Sequence, residues 1–341
     1  MEPRTIAVVG AGSWGTTVAA LIAPTTPTVL WARSAELAAD MTARRENPVY
    51  LPGVSLPDDL RSTSSLGEAV ADADIVFMAV PSHGFRSVLV EMAPLVAPGT
   101  IIVSLAKGIE VGTSRRMSEI VAEVLPGVAA GVMTGPNLAR EVAEGQPAAS
   151  VVALADADLA RRVQAIVHSS SLRVYAATDV VGCEIAGATK NVMAIAAGIS
   201  DGLGFGENTR AAIITRGLAE LGRLGIALGG HTLTFGGLAG VGDLVATCTS
   251  NRSRNRTVGV ELGRGRPLDE VLEGMQMVAE GVKTAAPLVE LAARNDVEMP
   301  IAEQVSAIVA GRCSPGDALE RLMDRPAKEE WEPAMLRGLH R

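Results

Sequence analysis

The chain is poor in the residues that mark metal, disulfide and nucleic-acid proteins. Aromatic residues make up 3% of its 341 positions. Three cysteines, Cys183, Cys248 and Cys313, are far apart and form no C-x-x-C pair, so neither a disulfide framework nor a zinc site is indicated. The four histidines (His83, His168, His231, His340) show no H-E-x-x-H or related spacing, and no metal is expected. Positive charge is in deficit, with a net charge of −8. This excludes a general nucleic-acid binder, which needs a basic face, but not a small basic pocket for an anionic metabolite. No basic-then-apolar leader pattern stands at the start. The most membrane-like run, residues 180 to 199, contains Glu184, Lys190 and Asn191, which reads better as a buried helix than as a span. The cytoplasm is the expected location. No internal repeat, low-complexity tract or long linker is present.

What the chain has in quantity is small and branched apolar residues, 48% apolar in all. Such residues pack parallel α/β sheets and close helix contacts. At this length two domains are expected: a dinucleotide-binding domain over 1–180, a helical substrate domain over 181–330, and a charged, proline-containing tail over 331–341 that should fray.

The apolar run Ile6–Val9 ends in G-A-G-S-W-G, so that Gly10, Gly12 and Gly15 fit G-x-G-x-x-G. A strand followed by a tight turn and a helix is the context that gives this motif meaning. The first glycine permits the turn, the second lets a pyrophosphate reach the backbone, and the third lets helix and strand pack closely. The next strand, 28–31, ends in Ala32-Arg33-Ser34 with no carboxylate for a ribose. Arg33 either pairs with a 2′-phosphate, which favours NADPH over NADH, or is a solvated surface arginine. Further strands read at 75–80, 101–105, 131–134, 150–154 and 173–175, with helical patterns between them. The alternation predicts a doubly wound sheet. Three segments follow strand ends, where ligands bind in such sheets: 81–86 with His83, 106–110 with Lys107, and 135–141. Lys107 is the strongest candidate of these.

From about Val180 the pattern becomes helical. The run 183–220 opens as a helix of small and apolar residues around Lys190 and continues through a glycine-rich loop into a second helix. A lysine there must snorkel out or meet a partner, and a desolvated, paired lysine is a candidate acid or base. Asp243, among glycines and aliphatics, either partners Lys190 or merely caps the helix Leu244–Cys248. The cluster S-N-R-S-R-N-R at 250–256 is either a phosphate site, through arginine forks and helix N-terminal amides, or a solvated loop. Two or three amphipathic helices follow over 286–323.

Taken together, G-A-G-S-W-G, V-P-S-H, A-K-G-I-E, G-P-N-L-A-R-E-V, G-A-T-K-N-V-M-A-I-A-A-G, G-F-G-E-N-T-R-A, G-L-A-G-V-G-D-L, S-R-N-R and V-A-E-G-V resemble bacterial NAD(P)-dependent glycerol-3-phosphate dehydrogenase over nearly the whole chain. The resemblance implies an α/β fold: an N-terminal Rossmann-like doubly wound sheet, then an all-α C-terminal domain like that of 6-phosphogluconate dehydrogenase. It implies reversible reduction of dihydroxyacetone phosphate to sn-glycerol 3-phosphate, in supply of phospholipid precursors, with NADP(H) preferred and NAD(H) possible. It puts Lys190 in the catalytic position with Asp243 holding it. It puts Ser13, Trp14, Arg33, Ala139, Arg254, Val278 and Glu280 on the dinucleotide beside the three glycines, and Lys107 near both ligands. Substrate contacts would be Lys107, Gly135, Lys190, Asp243, Ser253, Arg254 and Asn255. Position 137 is often serine in such proteins; Asn137 can still donate and accept. A homodimer is the default assembly.

Two other readings are weaker. A β-hydroxyacid dehydrogenase or ketopantoate reductase resembles a lysine followed four residues later by asparagine. Here that position is Ala194, and Asn191 is turned away by about 100°. A non-catalytic nicotinamide sensor would need neither Lys190 nor Asp243.

Overall fold

The structure is a computed structural model that describes residues 5–275, 278–327 and 329–330. The expected tail over 331–341 lies outside the described residues. The chain divides into two compact units. One runs up to Ala106 and includes Met117–Val180. The other takes Lys107–Arg116 and everything from Val181 onward. A single cut at 180 therefore misses one excursion, residues 107–116, which pack with the later half.

The first unit is built on ten strands: β1 (Ile6–Val9), β2 (Thr28–Trp31), β3 (Glu46–Asn47), β4 (Leu51–Ser55), β5 (Leu60–Thr63), β6 (Ile75–Met78), β7 (Ile101–Ser104), β8 (Ala129–Thr134), β9 (Ala148–Leu154) and β10 (Leu172–Ala177). Eight form one sheet in the order β10-β9-β8-β7-β6-β1-β2-β5. All neighbours are parallel except β8 and β9, which are antiparallel. The helices are α1 (Ser13–Ile22), α2 (Ala35–Arg44), α3 (Leu66–Val70), α4 (Ser82–Met92), α5 (Met117–Val124), α6 (Ala139–Ala143) and α7 (Ala157–Val167).

The central strands β1, β2, β6 and β7 are buried at every residue, because helices cover both faces of a mostly parallel sheet. Alternate residues divide between two cores. Ile6, Val8, Leu30, Ile75, Phe77 and Val103 belong to one; Ala7, Val9, Val29, Trp31, Val76 and Met78 belong to the other. The doubly wound sheet is as the alternation predicts. The antiparallel pair β3–β4 and the edge strand β5 are not in that reading: β4 is L-P-G-V-S and β5 is L-R-S-T, too short and too proline- and glycine-marked to show a strand period.

The second unit is helical: α8 (Val180–Gly202), α9 (Glu207–Ala227), α10 (Thr232–Phe235), a π-helical turn over Leu238–Gly242, α11 (Asp243–Thr249), α12 (Arg254–Gly263), α13 (Leu268–Glu273), α14 (Glu280–Ala293), α15 (Pro300–Val309) and α16 (Pro315–Met323). By length and composition α8 could cross a membrane. Instead every residue from Gly182 to Ser200 is buried within the protein. Its small residues explain how. A Cβ on Gly198 would stand 2.1 Å from the Arg256 carbonyl oxygen, and one on Gly259 would stand 2.1 Å from the Ile195 oxygen. α8 and α12 thus meet backbone to backbone, which any larger side chain would prevent.

The excursion 107–116 joins this unit for identifiable reasons. Ile109 is fully buried in the helical core. Arg116 Nη1 donates to Glu184 Oε2 of α8 at 2.7 Å, and Ser114 Oγ donates to Glu290 Oε2 of α14 at 3.0 Å. The Lys107 carbonyl accepts from Asn191 Nδ2 at 2.8 Å.

Candidate functional site

The first unit carries the glycine turn between β1 and α1. Gly10 has φ +117°, and a Cβ there would lie 2.7 Å from the Ala79 carbonyl oxygen; one on Gly15 would lie 2.0 Å from the Gly10 oxygen. Both positions need glycine, one for conformation and both for space. Gly12 is different: a Cβ there would meet nothing within 4 Å. It faces open space, as a glycine should if a ligand backbone is to approach it. No side chain caps α1, and no acidic residue stands in its first turn. Its amides and positive dipole end therefore suit an anion. The turn fits the pyrophosphate of a dinucleotide. Thr17 Oγ1 bonds the carbonyls of Ser13 and Ala139, at 2.9 and 3.1 Å, so the start of α6 is tied to α1. Trp14 packs partly buried against the sheet core. Arg33, just past β2, is exposed and among the described residues makes no ion pair. Gly135 and Asn137 follow β8. Asn137 is already engaged: Nδ2 donates to the Ala149 carbonyl at 3.0 Å, and Oδ1 accepts from Ser150 Oγ at 2.7 Å. That amide fastens the turn to β9, and it retains one N–H for a ligand.

The second unit carries a buried charge centre. Lys190, on α8, is 6% exposed and Asp243, at the start of α11, is 2% exposed. Lys190 Nζ lies 2.9 Å from Asp243 Oδ1, and Lys107 Nζ lies 2.6 Å from Oδ2. One carboxylate thus holds two lysines, one on each oxygen. Lys190 meets a partner rather than snorkelling. Asp243 is the first residue of its helix but its side chain does not cap it; the carboxylate serves the lysines, so the partner reading holds and the capping reading does not. Lys190 Nζ also donates to Thr247 Oγ1 at 2.7 Å, and that hydroxyl donates to the Asp243 carbonyl at 2.7 Å. Sequence reasoning missed Thr247. The signal was its position four residues after Asp243, one turn along the same helix face.

The electrostatics follow from burial. Desolvation lowers the Lys190 pKa to about 8; Asp243 pulls it upward, and the Lys107 charge pushes it further down. For Asp243, burial favours the neutral acid, but the two ammonium groups outweigh it and the pKa falls below the usual carboxylate range. Burial raises the Cys248 thiol to about 12, so it stays neutral beside the centre. The two ammonium groups meet at one carboxylate in a desolvated place, an arrangement suited to an incoming anion.

A polar network surrounds the centre. Asn191, turned away from Lys190 as expected, is not idle. It holds the Lys107 carbonyl and accepts from Asn255 Nδ2 at 2.9 Å. Asn255 Oδ1 accepts from the Gly281 amide at 2.9 Å. Asn255, expected at the substrate phosphate, also has a structural role. It is 8% exposed, and its oxygen and one N–H join α8, α12 and α14. Ser253 caps α12, accepting from the Arg256 amide. Arg254 is exposed and donates to the Val278 carbonyl at 2.8 Å. Glu280 accepts from the Lys107 amide at 3.3 Å. Of the arginines in the 250–256 cluster, Arg256 is committed to Asp201 at 2.7 Å. The described residues hold no group of three or more His, Cys, Asp or Glu that could bind a metal.

Comparison with known proteins gives the family. Family profiles described as NAD-dependent glycerol-3-phosphate dehydrogenase N-terminus and C-terminus match residues 5–160 and 179–320. A protein of Streptomyces coelicolor named glycerol-3-phosphate dehydrogenase (NAD(P)+) is 51% identical, over 96% of this chain and 99% of its own. One from Mycobacterium tuberculosis H37Rv is 53% identical over 90% of each. The crystal structure of glycerol-3-phosphate dehydrogenase from Coxiella burnetii superposes with a TM-score of 0.91 at 38% identity, covering 94% of this chain and 99% of that one. A ketopantoate reductase family structure from Ralstonia eutropha reaches only 0.60 at 16% identity, which shows shared architecture and no more. On both family matches, and on identities above half across nine-tenths of its length, the chain belongs to the NAD-dependent glycerol-3-phosphate dehydrogenase family.

Proposed function

We propose that the chain catalyses reversible reduction of dihydroxyacetone phosphate to sn-glycerol 3-phosphate, with Lys190 as the general acid and base. The observation that carries this is Lys190 itself: buried, held by Asp243 and Thr247, with its pKa brought to about 8. A group titrating there can give a proton in one direction and take it back in the other at neutral pH. When bound, the reduced nicotinamide supplies the hydride to the C2 carbonyl. Lys190 and Lys107 would then face a carbonyl oxygen that gains negative charge, and their ammonium groups would stabilise it. Asp243 keeps both ammonium groups in place. The substrate phosphate goes to Ser253, Arg254 and the free N–H of Asn255 at the start of α12, where helix amides add to the arginine. That remote anchor fixes C2 relative to Lys190. Gly135 and the remaining N–H of Asn137 belong to the same proposed set.

For the dinucleotide, Gly10, Gly12 and Gly15 with Ser13 and Trp14 receive the pyrophosphate, and Ala139, Lys107, Arg254, Val278 and Glu280 complete the set. NADPH is the preferred form, supported by an unpaired Arg33 where a ribose-binding carboxylate is absent. A cytoplasmic location is supported by cysteines that form no disulfide. A homodimer is proposed from the frequency of such assemblies alone.

Lys190→Ala tests the catalytic assignment, followed by NADPH absorbance with dihydroxyacetone phosphate. We expect kcat to fall on the order of 10²–10⁴-fold with the fold intact; near-normal turnover sinks it. Arg33→Ala should weaken NADPH more than NADH, and equal weakening of both would show that Arg33 does not read the 2′-phosphate.

A further inference from the structure

Asn47 is fully buried at the end of β3, far in sequence from any residue assigned above. Both of its side-chain donors are directed to one place. Nδ2 donates to the Ala11 carbonyl at 2.9 Å and to Thr16 Oγ1 at 2.8 Å, while Oδ1 accepts from the Tyr50 amide at 2.9 Å. The Tyr50 bond orients the amide, so that both donors must face the glycine turn. Ala11 lies between Gly10 and Gly12, and Thr16 lies in the first turn of α1. One amide therefore spans the turn from its middle to the helix it opens into.

The consequence follows from peptide geometry. The peptide between Ala11 and Gly12 is trans, as are all described peptides. Its carbonyl and its N–H point in opposite directions. Fixing the Ala11 oxygen inward on Asn47 aims the Gly12 N–H outward, to the side where a Cβ on Gly12 would meet nothing. Without Asn47 the carbonyl would be buried and unpaired, and the peptide could regain a partner only by rotating. The N–H would then swing off the phosphate.

We propose that Asn47 is a positioning residue for the dinucleotide: it holds the Ala11–Gly12 peptide so that the turn presents its amide to the pyrophosphate. The pair β3–β4 that carries it is braced in turn. Glu46 Oε1 accepts from the Gly53 amide at 2.7 Å, and Arg140 Nη1 of α6 donates to the Pro52 carbonyl at 2.8 Å. The segment 46–55 thus acts as a backing plate for the turn. This rests on the dinucleotide reading of the turn given above.

The test is equilibrium binding of NADPH by its fluorescence, without substrate, on Asn47→Ala and Asn47→Asp. The second keeps the shape but replaces both donors with an acceptor facing the Ala11 oxygen. We expect the NADPH Kd to rise about tenfold or more, the KM for dihydroxyacetone phosphate to stay within about twofold, and kcat at saturating NADPH to hold. A Kd unchanged in folded variants, with only the melting temperature lowered, overturns the proposal. Should both variants fail to fold, Thr16→Val is titrated in the same way. It removes one acceptor and leaves the Ala11 bond, so a Kd raised about threefold is expected and an unchanged Kd refutes. If wild type binds NADPH but turns over no dihydroxyacetone phosphate, the proposed function fails while this inference stays testable.

Discussion

Replacing Lys107 with methionine should move the basic limb of the pH–rate profile upward. Lys107 and Lys190 sit on opposite oxygens of Asp243, at 2.6 and 2.9 Å. Ammonium groups so placed are roughly 5 Å apart. At an effective dielectric of about 20 their repulsion is about 3 kcal/mol, and relaxation with entering water leaves about half of it. That corresponds to about one to two pH units on Lys190. The sign is fixed: removing a neighbouring positive charge makes the protonated form easier to keep, so the pKa rises from its value of about 8. The groups that face Lys190 are Asp243, Lys107, Cys248 and Thr247, and only Lys107 can supply a shift of this sign when deleted. With Lys190 as the proposed general acid, reduction of dihydroxyacetone phosphate needs it protonated, so the rate should fall as pH rises through that pKa. The assay is kcat/KM from pH 6 to 10.5, which reports the free enzyme. Lys107→Met should lower the plateau, since a cation is lost from the site, while the falling limb moves up by about one to two pH units. A limb that stays in place, or moves down, refutes the reading that one carboxylate couples the two lysines.

Two further outcomes follow from single positions. Gly12→Ala adds a methyl where the protein leaves open space, so the melting temperature should hold within about 2 °C while the KM for NADPH rises; an unchanged KM would place the pyrophosphate elsewhere. Glu220, 1% exposed, caps α15 by accepting from the Ile301 and Ala302 amides, yet desolvation raises its pKa to about 7. The folded state thus holds a proton that the unfolded chain releases near its ordinary 4.5. Stability from this group is full below that value and lost as pH rises through about 7, in all about 3 kcal/mol. Denaturant unfolding at pH 5 and pH 8 should show that difference in wild type, and Glu220→Gln should shrink it; an equal difference in both would acquit Glu220.

Much of the site was legible because its residues are costly where they stand. A lysine in the apolar run of α8 and an aspartate in G-V-G-D-L are anomalies that need partners. Each offered itself as the other's partner, Lys107 stood out just past a buried strand, and all three converge in the helical unit. Thr247 and Asn191 were not legible. Threonine and asparagine are common in helices, and nothing in sequence separates a hydroxyl that holds a lysine from one that bonds its own backbone. The structural role of Asn255 was hidden for the same reason: its place in a donor-rich cluster does not show that its amide also bonds Asn191 and Gly281.

By itself the sequence determined the strand–turn–helix at the start, the doubly wound sheet, the switch to helices near 180 and the need of Lys190 for a partner. These depend on local periodicity, glycine spacing and the cost of a buried charge, which act over a few residues. Tertiary structure alone decided that residues 107–116 join the helical unit, that one carboxylate serves two lysines, and that Asn47 braces a turn more than thirty residues before it. Those are contacts between segments distant in the chain, set by packing and by hydrogen-bond capacity left over elsewhere. No local pattern encodes which distant partner will use it.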